Sequence, residues 1–184
     1  MFKLKNFRKK SPWILHYNAG SCNGCDIEIL ASLGPKYDLE RFGVLNTGNP
    51  KQSDIFLVTG PVTLRSRERL VELYEQMPEP KVVIAVGSCT CTGGVFRGMY
   101  NVEDGIDLYI PVDVYIPGCA ASPELIIDGV VKGLEILEQK TKEIEKPFKL
   151  FKEARVEDGI TNRRESAQRV DKPSMKEERR NEED

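Results

Sequence analysis

Five thiols are the residues of this chain best suited to chemistry: Cys22, Cys25, Cys89, Cys91 and Cys119. Cys22 and Cys25 form a Cys-x-x-Cys pair within GSCNGC, residues 20–25, a stretch without one large apolar side chain. Another 63 residues (26–88) separate this pair from Cys89, and 29 residues (90–118) lie between Cys89 and Cys119 if Cys91 is set aside. Four thiolates can hold a structural zinc or an iron-sulfur cluster. Structural zinc commonly draws on two close pairs, because each small knuckle presents two ligands. Only one close pair exists here, and the two single thiols suit a larger 4Fe-4S cluster seated across separate loops. Zinc and unrelated buried thiols stay open as alternatives on the residues alone.

Those thiols need a scaffold that brings distant loops together. Ile14 to Asn18 reads as a short strand, and residues 25–33 as a helix stopped by Gly34-Pro35. The pair therefore falls at a strand-to-helix turn. Residues 42–45 form a candidate short strand, and Asp54 to Thr59 a buried one ending at Gly60-Pro61. From Thr63 to Met77 the apolar positions Leu64, Leu70, Val71, Leu73, Tyr74 and Met77 share one helical face. Lys81 to Val86 is a continuous apolar run of the kind buried on both faces of a parallel sheet, and Gly87-Ser88-Cys89 follows at its carboxyl end. Val112 to Ile116 repeats the arrangement, running into Pro117-Gly118-Cys119, and Pro123 opens a helix reaching about Glu138.

This alternation predicts an α/β fold, an open parallel sheet with helices on both faces. In such sheets the loops at the carboxyl ends of the strands gather in one crevice, so Cys22, Cys25, Cys89 and Cys119 are expected to converge. Cys89 stands to its strand as Cys119 does to its own and takes the ligand role. Cys91 is read as a neighbouring buried thiol. Gly20, Ser21, Gly24, Gly87, Ser88, Thr90, Gly118 and Ala120 are expected to leave backbone amides free to point at the sulfurs.

Composition narrows the function. Lys and Arg (27) nearly balance Asp and Glu (29), and a formal net charge of -2 excludes the basic field of a nucleic-acid binder. No apolar run reaches the roughly 18 residues that span a bilayer. The basic start, with Lys3, Lys5, Arg8, Lys9 and Lys10, is followed by Ser11-Pro12 rather than a signal-peptide core, so a cytoplasmic location is expected. Thiols there stay reduced, which favours metal over disulfides. Three segments result: a basic extension over 1–12, the cluster-binding domain over 13–146, and a charged tail over 147–184 that is disordered or ordered along a partner.

The stretches SCNGCDIEIL (21–30), DLERFGV (38–44), SDIFLVTGPVT (53–63), GSC followed by GGVF (87–96) and IPVDVYIPGC (110–119) resemble the small, cluster-bearing subunit of membrane-bound energy-converting nickel-iron hydrogenases. The same family includes the B subunit of respiratory complex I and ferredoxin-dependent, sulfur-reducing membrane complexes. The resemblance implies a flavodoxin-like domain with one 4Fe-4S cluster on Cys22, Cys25, Cys89 and Cys119. It implies a conduit between a ferredoxin-like 4Fe-4S subunit and the active site of a large subunit, peripheral on the cytoplasmic side of the membrane beside membrane-arm subunits. The chain would be a non-autonomous part of an oxidoreductase. The spaced Cys22/Cys25 pair resembles the hydrogenase branch, whereas the complex I branch, with quinone as acceptor, has adjacent cysteines. Relatives usually carry prolines after the fourth cysteine, and this chain has Ala120-Ala121.

Two acidic residues and one histidine accompany the pair. Glu28, one helical turn after Cys25, is a candidate for coupling proton movement to electron transfer, and Asp26 is the weaker one. His16, the single histidine, is read as packed or solvent-facing. A reading from a different class is a zinc-stabilised docking protein without redox work.

Overall fold

The structure, a computed structural model, describes residues 11–144. The basic extension, apart from Ser11 and Pro12, and the tail over 147–184 lie outside the described residues. Five strands, β1 (Trp13–Asn18), β2 (Leu45–Asn46), β3 (Ile55–Thr59), β4 (Val82–Val86) and β5 (Val114–Ile116), form one sheet. Its order is β2-β1-β3-β4-β5 with every neighbouring pair parallel. That is the flavodoxin-like order, in which the connections part to either side of β1 and β3 and leave a crevice at their carboxyl ends. The helices are α1 (Gly24–Leu33), α2 (Ser66–Gln76), the short α3 (Ser88–Thr92) and α4 over residues 123–144.

The continuous apolar runs behave as their composition requires. All five residues of β3 and all five of β4 are buried. Side chains alternate across a strand, so Ile55, Leu57, Val82 and Ile84 join one core with Ile29 of α1 and Ile126 and Val130 of α4. Phe56, Val58, Val83 and Ala85 join the other with Leu70 and Leu73 of α2. Burying each such side chain stabilises the fold by about 1.5–3 kcal/mol.

Several boundaries differ from the sequence pattern, among them the end of α4, which runs to residue 144 rather than about Glu138. The strand expected over 42–45 is Leu45–Asn46. Leu39–Phe42 is instead a 3-10 turn, and Gly43, at φ 82, ends it before the strand can start. Val44 still packs in the first core. The helix expected from Thr63 starts at Ser66, because Thr63 and Ser66 bond one another through main and side chains. Leu64 therefore sits in the preceding loop and is exposed rather than in the helical stripe. β5 begins at Val114, and the side chain of Asp113 accepts the Val83 amide at 2.9 Å just before it.

Candidate iron-sulfur site

The carboxyl ends of β1, β4 and β5 deliver the four expected thiols. Cys22 lies exposed in the loop after β1, and Cys25 is half-buried in the first turn of α1. Cys89 is half-buried in α3, directly after β4, and Cys119 is exposed in the loop after β5. Their electrostatics place them at one locus. Burial pushes the Cys25 thiol up; the Ala121 amide opposes this, while Cys22, Asp26 and Cys119 add to the rise. Burial also pushes the Cys89 thiol up, and Cys119, Cys22 and Cys25 each add to it. Thiols that hinder one another's ionisation are relieved by a shared cationic group, which holds them as thiolates.

Bare backbone surrounds the sulfurs. A Cβ on Gly87 would stand 2.6 Å from Cys25 Sγ, and one on Gly94 3.1 Å from Cys89 Sγ. A Cβ on Gly24 would meet Cys22 Sγ and the Ala120 methyl, each at 3.5 Å. No three His, Cys, Asp or Glu side chains among the described residues close on the geometry of a single ion. Four sulfur donors set against bare glycine backbone are of the chemistry that an iron-sulfur cluster would take at Cys22, Cys25, Cys89 and Cys119.

The amides expected to face the sulfurs are largely engaged elsewhere, which corrects that part of the sequence reading. Asn18 Oδ1 accepts from Gly20 N at 2.9 Å and Ser21 N at 2.7 Å. Gly87 N donates to Ile116 O, Ser88 N to Gly118 O and Thr90 N to Gly87 O. Gly118 N donates to Ser88 Oγ. These bonds shape the loops, and the amides that reach crevice thiols are those of Ala121, toward Cys25, and of Cys89 itself.

The Cys91 thiol is directed to Ala85 O at 3.9 Å and Ile116 O at 4.0 Å, and Cys25 and Cys89 act on it electrostatically. Burial pushes it up to about 11. The Cys119–Ala120 peptide is cis, at the place where prolines were expected.

Asp26 is the acidic residue tied into the scaffold. Only 9 % exposed, it accepts from Asn18 Nδ2 at 2.7 Å through Oδ2, and from Thr59 Oγ1 at 2.5 Å and His16 Nε2 at 2.9 Å through Oδ1. His16 is thus a partner of Asp26 in the crevice wall. Glu28 is half-buried on α1, outside this network. The signals for the network were Thr59, a polar end to an otherwise apolar strand, and Asn18 two residues before a glycine, an Asx-turn pattern.

Comparison with known proteins follows the same residues. The family described as NADH ubiquinone oxidoreductase, 20 kDa subunit, matches residues 22–133, which include all the cysteines. The chain is 53% identical over 140 residues to a probable membrane-bound hydrogenase subunit of Pyrococcus furiosus, covering 76% of this chain and 84% of that protein. It is 42% identical over 132 residues to formate hydrogenlyase subunit 7 of Escherichia coli, covering 72% of this chain and 52% of the longer relative. Among solved structures, a chain of an archaeal membrane-bound sulfane sulfur reductase matches with TM-score 0.65 and 39% identity, over 85% of this chain and 90% of that one. A chain of an NAD+-reducing nickel-iron hydrogenase shares the fold, with TM-score 0.54 at 19% identity over 67% of this chain and 91% of that one.

Proposed function

Because the chain belongs to the family of the NADH ubiquinone oxidoreductase 20 kDa subunit, we propose that it is the electron-transfer subunit of a membrane-bound respiratory oxidoreductase. Cys22, Cys25, Cys89 and Cys119 hold one 4Fe-4S cluster, which supplies one-electron redox chemistry when bound. The relatives named above are subunits of hydrogenase, formate hydrogenlyase and sulfane sulfur reductase complexes. We assign this chain to that group, receiving electrons from a ferredoxin-like subunit and delivering them to the active site of an adjacent large subunit. The observation that carries the reading is the convergence of four thiols from three strand ends onto one glycine-lined locus.

The chain's own residues bind and orient. The turn through Asn23 leads from Cys22 into α1, which carries Cys25, and bare backbone at Gly87 and Gly94 leaves room for the Cys25 and Cys89 sulfurs. Exposure of Cys22 and Cys119 leaves the crevice open on the side where a partner would cover it. No helix among the described residues is long and apolar enough to cross a membrane. Attachment from the cytoplasmic side through membrane-arm subunits is therefore part of the proposal.

Anaerobic purification of the complex tests it. About four irons per copy of this chain, beyond those of the other subunits, and a reduced-state paramagnetic signal lost with Cys89→Ser are expected. A colourless, iron-free and zinc-loaded chain would instead establish the docking-protein reading.

A further inference from the structure

Asp26 offers an inference beyond cluster binding, and it rests on the reading just proposed. Its carboxylate follows Cys25 directly in the chain and acts electrostatically on that thiol. Its oxygens accept from side chains of β1, of β3 and of the residue that ends β1: His16, Thr59 and Asn18. Asn18 in turn holds the Gly20 and Ser21 amides that lead into Cys22 and donates to Asn23 Oδ1 at 3.3 Å. The carboxylate thus sits at the meeting of β1, β3 and α1, the switch point of the sheet, beside the Cys25 thiol. Donors on both oxygens hold the carboxylate in place, and its low exposure keeps its field from being screened by water.

We infer that Asp26 is a potential-setting residue: a fixed negative charge at the switch point that lowers the reduction potential of the cluster on Cys22, Cys25, Cys89 and Cys119. Reduction adds an electron, and a neighbouring anion opposes it, so the charge shifts the one-electron equilibrium toward the oxidised state. The donors temper that charge, Thr59 from within the sheet and His16 through Nε2. Asp26 touches no electron acceptor and supplies no ligand; it acts through the field it sets and through the loop it holds.

Two substitutions separate charge from mere support. Asp26→Asn keeps the shape and removes the charge, and should raise the midpoint by about tenfold in the reduction equilibrium, ~59 mV for a one-electron couple. Thr59→Val keeps the charge and removes one donor, so the less tempered anion should move the midpoint in the opposite direction. Both are read by paramagnetic-resonance redox titration of the anaerobically purified complex, with iron per chain measured alongside. An unmoved midpoint in Asp26→Asn overturns the inference. Shifts of one sign in both variants overturn it too, because they mark general loosening of the site. Should the Asp26→Asn complex fail to assemble, Thr59→Val decides alone: a lower midpoint supports the inference, and an unchanged or higher one ends it. A wild-type chain without iron removes the functional reading and this inference together, whereas an iron-bearing chain with unmoved midpoints removes only the inference.

Discussion

Replacing Gly87 by alanine tests the glycine cradle most directly. Gly87 links β4 to α3 at φ 89 and ψ 152, a conformation open essentially to glycine, so any side chain costs about 1–3 kcal/mol there. The steric effect adds to this. The new Cβ would lie 2.6 Å from Cys25 Sγ, where ordinary contact needs 3.4–4 Å, so the sulfur must retreat or the loop must lift. Neither movement is easy. Gly87 N is bonded to Ile116 O at 2.8 Å and Ser88 N to Gly118 O at 2.9 Å, while α1 is tied to the sheet through Asp26. Gly87→Ala should therefore lose both stability and iron. Gly98 supplies the control, with φ +78 and nothing within 4 Å of a built Cβ. Gly98→Ala should cost about 1–2 kcal/mol from backbone strain alone and keep its iron. Thermal melting and iron per chain, measured on the same preparations, read both quantities, with about 2–4 °C expected per kcal/mol for a chain of this length. Wild-type iron content in Gly87→Ala, or equal iron loss in Gly98→Ala, would refute the steric reasoning.

Cys89→Ser should abolish iron binding while Cys91→Ser keeps it, because the Cys91 thiol faces the carbonyls of Ala85 and Ile116; the opposite outcome in iron analysis would exchange their roles. Lys81→Met should destabilise the chain by about 1–3 kcal/mol in urea titration, since the Met77 carbonyl loses the Nζ donor and the Tyr74 carbonyl keeps only the Met77 amide. Its iron content should stay at the wild-type value, because Lys81 lies at the end of β4 away from the thiols. In the metal-free chain Cys25, Cys89 and Cys91 all have raised thiol values, Cys91 from 9.0 to about 11. The unfolded chain releases these protons first, so this contribution to stability is complete below about pH 9 and is lost as pH rises toward 11. Loading the site should flatten that alkaline loss, as Cys25 and Cys89 then have no proton to release; an equal slope with and without iron would contradict the assignment.

The sheet was legible because its signals are local and redundant. The runs over Asp54–Thr59 and Lys81–Val86 are apolar at every central position, a pattern that only a strand covered on both faces tolerates. Convergence of the thiols followed from topology, since each cysteine comes straight after a strand. The fine structure of the crevice was harder to read. Whether the Gly20 amide meets a sulfur or the Asn18 side chain depends on one rotamer in an Asx turn, and composition does not encode it. The hydrogen-bond network of Asp26 was illegible for a related reason. Helical spacing compares positions on α1 only, whereas the donors that single out Asp26 come from β1 and β3, brought there by parallel pairing of His16 with Leu57 and of Asn18 with Thr59. The late start of the strand expected over 42–45 likewise turned on the left-handed backbone of Gly43.

The two ends of the sheet satisfy their charges in opposite ways, and this division argues for a bound group at one of them. At the amino end of β4, Lys81 Nζ lies over the Tyr74 ring at 3.8 Å and 3.3 Å from Glu79. Lys140 Nζ meets Asp113 Oδ1 at 2.7 Å and Lys81 O at 3.0 Å. Each buried or half-buried charge there has a partner of opposite sign or a lone pair from the chain itself. At the carboxyl end the arrangement is reversed: an anionic carboxylate and four ionisable thiols share one crevice, and each thiol that titrates makes the next harder to ionise. Backbone amides that could have compensated are spent on shaping the loops. A fold that neutralises one end so thoroughly has the means to neutralise the other. Thiols that burial and one another hold in the neutral form are what a cationic iron cluster would ionise and neutralise, which is the state the proposed function requires of them.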